Sequence, residues 1–450
     1  MRHLQSDDDS RTCTPRYRNY LLAMLVLIYA VNFIDRTILN VLVEPIKEEL
    51  GLTDMQIGLL SGVAFGIFYG VMGLPFARLA ERGSRLNLIS AALAFWSLMT
   101  AACGLAHNFW HLFAARLGLG VGQAGCTPAA QSMLSDVFPQ DKRSTALSIY
   151  SIGVPIGTLL GALFGGWIGQ EFGWRMAFLV VGLPGIAIAL LARLTLREPP
   201  RGEPDLGQPA GEAPPLAQAL ATLAGSPAFR HLAAAFTFAA TAGYSLNLFL
   251  VAFLQRMHGI PLIDASFSFG LVSGVTGIVG MLAGGVLTDR LARRDKRMQY
   301  WLPAAALGLT APCLMIALVQ KDLWTMALFM VAGATLYPMY VGPGFAAAHN
   351  LVEPRMRATA TAILLMISTI IGMGIGPAAT GAISDYAARA LFDGDFDRLC
   401  AGGSSNPACA AAQAKGLSIA LVVAAACYLG AAAHMALAGA GMKRRPGTDQ

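Results

Sequence analysis

A chain of 450 residues that is 55% hydrophobic and 13% charged is too apolar for a soluble domain, and its charges gather between long apolar runs. The composition predicts an all-α membrane protein. The formal net charge of +6 comes from clusters at the ends of those runs, so it speaks of membrane orientation and gives no reason to expect a nucleic-acid partner.

Residues 1–18, which include Asp7-Asp8-Asp9, read as a disordered tail. Hydropathy then predicts twelve membrane helices at 20–43, 56–77, 86–106, 110–134, 145–168, 175–194, 230–254, 266–288, 300–319, 324–346, 358–386 and 416–440. Of the Lys and Arg residues, 23 fall on the side of the two tails and the loops after even-numbered spans, against seven on the other. Cytoplasmic loops carry the excess of Lys and Arg, so both termini are expected in the cytoplasm. The first run is far longer than the core of a signal peptide, so no cleaved leader is expected.

That first run, Leu21 to Val43, is 23 residues and holds only two charges, Asp35 and Arg36. It is about 34 Å of helix, enough to cross the hydrocarbon. An ionised side chain near its middle costs on the order of 3 kcal/mol unless it is paired or faces a wet cavity. The two are therefore expected to form an ion pair with a function in proton coupling and substrate binding; the plainer alternative is that the pair only joins helices.

Glycines 58, 62, 66, 70 and 73 recur at three or four residues in the second span and suit close helix packing. The turn Ala77-Arg78-Leu79-Ala80-Glu81-Arg82-Gly83-Ser84-Arg85 is echoed after the eighth span by Gly285-Val286-Leu287-Thr288-Asp289-Arg290. Glycine-rich fifth and eleventh spans also correspond. The chain is thus expected to be a duplication: a six-helix half at 19–196, a proline-rich cytoplasmic linker at 197–227, a second half at 228–441 and a tail at 442–450. No metal cluster, nucleophile triad or phosphate loop is present in the sequence, so neither an enzyme nor a cofactor is expected.

In the fourth span Arg116 precedes Gln123 by seven residues, two turns of helix, which places both on one face. If that face looks into a cavity, both join Arg36 in binding substrate. The second half offers Tyr244, Asn247, Tyr337, Tyr340, Met366 and Thr369 as a softer wall for an apolar chain. Cys400 and Cys409 share one external loop and are candidates for a disulfide.

Two six-helix halves, a long linker and the paired turns resemble the major facilitator superfamily. Within it, Asn32-Phe33-Ile34-Asp35-Arg36, Asp54-Met55-Gln56-Ile57-Gly58-Leu59-Leu60 and Arg116-Leu117-Gly118-Leu119-Gly120-Val121-Gly122-Gln123 resemble bacterial members of the spinster-type group. The resemblance implies a single-chain carrier of the bacterial inner membrane that works by alternating access. It implies a cytoplasmic gate at Arg78, Glu81, Arg82, Arg85, Asp289 and Arg290, and proton-linked movement of amphiphiles such as lysophospholipids or sphingoid phosphates. The chain departs from the family pattern at Ala77, at Glu81 and at Gln123, where relatives usually carry an acid. A carrier of small organic or sugar acids, and a membrane receptor without transport, are the alternative expectations.

Overall fold

The structure, a computed structural model, describes residues 14–200, 216–353, 356–400 and 406–440. Residues 1–13, 201–215 and 441–450, which hold most of the expected tails and linker, lie outside the described residues, as does the side chain of Glu81.

The first half contains α1 (Pro15–Val41), α2 (residues 54–82), α3 (Arg85–Gly104), α4 (residues 109–137), α5 (residues 140–172) and α6 (Trp174–Thr195). The second contains α7 (Pro227–His258), α8 (Leu262–Ala292), α9 (Met298–Val319), α10 (residues 323–350), α11 (residues 357–391) and α12 (Pro407–Ala440). Eleven of these are long and apolar enough to cross a membrane; α4 makes the twelfth, although a turn at Gly125 divides it into Phe109–Ala124 and Cys126–Val137. The helix α1 starts at Pro15 behind a Thr14 cap, so four residues assigned to the tail are helical. The linker also carries a helix, Leu216–Gly225, whose Leu223 is buried against the second half.

Small residues set where the halves meet. A Cβ on Gly58 or Gly62 of α2 would strike the backbone of Pro377 or Gly374 in α11, and one on Gly166 of α5 would lie 2.6 Å from the Ser266 side chain in α8. These contacts run from the middle of the molecule to the face opposite the termini, the far face. Gly66 and Gly70 still lie against Met373 and Ile370 of α11, and the space opens farther toward the termini, where a Cβ on Gly73, Gly277 or Gly285 would meet nothing within 4 Å. The apolar core agrees. One cluster joins the second half to Ile38, Leu42, Ile46, Ile57 and Leu60 of the first, whereas the core nearer the termini draws on the first half and, from the second, Met373 alone. The halves are therefore sealed at the far face and parted toward the termini face.

Both α2 and α11 break regular helix at that seam with a π-helical turn, Gly62–Ile67 and Ser368–Met373, which contain Phe65 and Thr369. On the far face Cys400 and Cys409 are joined by a disulfide.

Candidate functional site

The centre of the first half is built around α1. Successive residues of a helix point about 100° apart, and Asp35 and Arg36 obey that rule by facing different neighbours. They form no ion pair, contrary to the expectation from sequence. Asp35 is fully buried and accepts a hydrogen bond from Trp96 Nε1 at 2.9 Å. Arg36 turns toward the seam, where its Nε donates to Gln123 Oε1 at 2.8 Å. Its guanidinium carbon lies 4.4 Å from the Tyr69 ring, 4.9 Å from Phe65 and 5.1 Å from Phe33, an aromatic cage that suits a partly desolvated cation.

Gln123 is wholly buried, so it holds the site from behind. Its Nε2 donates to the Asn32 carbonyl at 3.2 Å, which fixes the amide and aims Oε1 at Arg36. Arg116 is buried too and does not line open space: its Nε reaches the Leu60 carbonyl at 3.5 Å and its guanidinium carbon lies 5.1 Å from the centre of the Phe65 ring. The small residues of α4 explain this burial, since a Cβ on Gly120 would strike the Phe65 backbone. One ring, Phe65, thus serves two guanidiniums. With Asp35 ionised, this cluster carries one net positive charge, and among the described residues no carboxylate is paired with Arg36.

Across the seam, Tyr244 is 38% exposed and lies within electrostatic reach of Arg36. Asn247 and Tyr337 line a small cavity inside the second half with Leu250, Phe269 and Met330, and Asn247 Nδ2 donates to its own helix at Gly243. Thr369 stands opposite Gly70, and Met366 is half-buried. Tyr340 is buried edge-on against Phe236, 5.0 Å between centroids, which is a packing role.

Among the described residues of the expected cytoplasmic gate, none makes an ion pair between the halves in this state. Arg85 is buried within the first half, where it pairs with Glu198 at 2.7 Å and with Asp136, and donates to Ser132 and the Pro199 carbonyl. Burial pushes the Glu198 carboxyl up, but the Leu86 amide, Arg85 and Ser84 outweigh it and hold the group below its usual range. Arg78, Arg82, Asp289 and Arg290 are exposed, and no ion pair joins the halves there among the described residues.

Sequence reasoning passed over the charges that do cross the seam, at the far face. Arg256 of α7 is held by Glu44 at 2.5 Å and by Asp54 at 2.7 Å, and Asp54 also takes Lys47 at 2.8 Å and the Ser384 hydroxyl at 2.6 Å. Asp385 of α11 accepts the Asp54 and Met55 amides at 3.0 and 2.9 Å. The available signal was Thr53 before Gln56, a capping box that fixes the start of α2 at Asp54.

The Major Facilitator Superfamily family model matches residues 25–377. An MFS-type efflux pump of Mycolicibacterium smegmatis is 34% identical over 375 residues, 82% of this chain and 85% of the pump. Protein spinster homolog 1 of Homo sapiens is 30% identical over 391 residues, 82% of this chain and 73% of that protein. The crystal structure of a bacterial homologue of the human lysosomal transporter spinster, inward-facing and unoccupied, superposes with a TM-score of 0.84 at 34% identity, covering 95% of this chain and 98% of that one. The nucleoside transporter NupG, at 16% identity and a TM-score of 0.69, shares the fold. This chain belongs to the major facilitator superfamily, among its spinster-type members, and is a membrane transporter.

Proposed function

We propose that the chain is a proton-linked secondary transporter, working by alternating access as a single copy, whose substrate is an anionic or zwitterionic amphiphile such as a lysophospholipid or sphingoid phosphate. The observation that carries this reading is Arg36: a guanidinium at the seam, caged by aromatic rings and bonded to a neutral amide instead of a carboxylate. It offers an unneutralised charge to a phosphate, while Tyr244, Tyr337, Phe269 and Met330 offer the second half to an acyl chain.

The excess of Lys and Arg on the termini side supports a cytoplasmic termini face, in a bacterial inner membrane on this reading, and the state would then be inward-facing. Asp35 supplies the proton link. Protonating it raises the cluster from +1 to +2 and strengthens anion binding, and each ligand then biases which way the carrier faces. Lysolipid flux into proteoliposomes, with and without a pH gradient, tests both parts. Movement of small organic acids in place of lysolipid would favour the other substrate class and leave the transport fold untouched.

A further inference from the structure

We infer that His231 and His434, at the termini-face end of the second half, form a binding site for a transition-metal dication of the zinc and copper class. The two imidazole Nδ1 atoms lie 2.9 Å apart, with ring centroids 5.2 Å apart and planes inclined by 38°. One Nδ1–H donates to the other, so two ring nitrogens converge on a single point between α7 and α12. A metal ion there takes the place of the shared proton. Nitrogens held about 2.05 Å from a tetrahedral zinc stand about 3.3 Å apart, so the rings need part by only about 0.4 Å to admit one. The ring that donated moves its proton to Nε2, and both bind as neutral imidazoles.

The helices hold this pair firmly. Ser226 caps α7, its hydroxyl accepting the Phe229 amide at 3.3 Å, and so puts His231 in the second turn. Seven residues on, Phe238 falls on the same face and stacks on His434, with 5.7 Å between centroids and 19° between planes. Gly430 of α12 admits Phe238, since a Cβ there would lie 3.3 Å from its ring, and Gly439 lets the end of α12 close on Tyr300 of α9. Among the described residues no carboxylate or carbonyl is bonded to either imidazole, so nothing competes for the two Nδ1 atoms.

Depth makes the pair reachable. The helices α7 and α12 have 32 and 34 residues. At 1.5 Å per residue each is about 48 Å or more, longer than the hydrocarbon is thick, so residues this near their ends sit at headgroup level. Both histidines are half-buried there. Among the described residues no third protein ligand joins them, and water fills the other two positions. Imidazole nitrogen selects zinc, copper or nickel over magnesium and calcium, which prefer oxygen. Bound metal ties the first helix of the second half to its last.

The test titrates Zn2+, Cu2+ and Mg2+ into the purified full chain in detergent, free of any affinity tag and with the cysteines outside the disulfide replaced. Calorimetry should give one Zn2+ site per chain and none for Mg2+. Zn2+ at a hundredfold excess over Kd should raise Tm by about 5 °C. His231→Ala and His434→Gln should each weaken Zn2+ binding about a hundredfold and abolish the Tm gain. Electron paramagnetic resonance of bound Cu2+ should show two imidazole nitrogens in the native chain and no more than one in either variant. Should one variant not fold, the other and the copper spectrum carry the test. His107 and His111, exposed and with ring centroids 6.3 Å apart, are the competing pair. Zn2+ binding that survives both substitutions and is lost in His107→Ala overturns the assignment, as does failure of the native chain to bind either Zn2+ or Cu2+.

Discussion

Gln123→Glu changes one heavy atom and reverses the logic of the central site. The Gln123 amide oxygen is 2.8 Å from Arg36 Nε, and its nitrogen is tethered to the Asn32 carbonyl, so a glutamate placed there meets Arg36 head-on. A phosphate bound on the outer edge of the guanidinium would lie about 7 Å from the new charge. At an effective dielectric of about 20 that repulsion is about 2.4 kcal/mol, roughly fiftyfold in affinity. Lysophosphatidate binding to purified protein in nanodiscs, measured by titration calorimetry, should weaken by that factor. Lysophosphatidylcholine, whose ammonium offsets its phosphate, should weaken less. Gln123→Leu removes the hydrogen bond without adding charge and should cost about tenfold or less. Equal affinity of the native and Gln123→Glu proteins for lysophosphatidate would refute the claim that an unneutralised Arg36 holds the headgroup.

Three further outcomes follow from the same geometry. Gly157→Val should destabilise the protein by about 2 kcal/mol, read as a lowered Tm in detergent, because its Cβ would strike the Ala30 carbonyl and the Phe33 side chain where α5 crosses α1. Glu198→Gln should cost about 1 kcal/mol at pH 7, a modest figure because the carboxylate is 32% exposed. Since Glu198 is held below its usual range, its contribution is complete above the free-glutamate value of about 4.3 and fades as pH falls through the lower folded value. The Tm gap between native and variant should close in acid. Trp96→Phe deletes the indole donor to Asp35 and should displace the pH profile of transport with a smaller effect on affinity at saturating protonation.

What the sequence made legible was local and periodic. Long apolar runs located the helices, though α12 begins at Pro407 where the run suggested 416, and the glycines at three- and four-residue spacing read as packing positions do pack, against α11. The fourth helix was found as one apolar run; its turn at Gly125 left no mark on hydropathy. Arg36 was singled out because charge is costly at membrane depth and Gln123 because it shares a helix face with Arg116, and Arg36 and Gln123 do meet. The ion pair expected between Asp35 and Arg36 failed for a reason the helix itself supplies: neighbours in sequence point apart. Arg85 looked like part of an exposed turn, and only the return of Glu198 after α6 buries it. The far-face cluster was hidden most fully, since Glu44, Asp54, Arg256 and Asp385 come from four separate places in the chain.

The most direct test of the central claim is lysolipid flux into proteoliposomes, with and without an imposed pH gradient, for the native chain and Asp35→Asn. The account predicts flux that the gradient drives in the native protein and that loses its gradient dependence in Asp35→Asn. Flux that responds to the gradient equally in both proteins would contradict the assignment of proton coupling to Asp35.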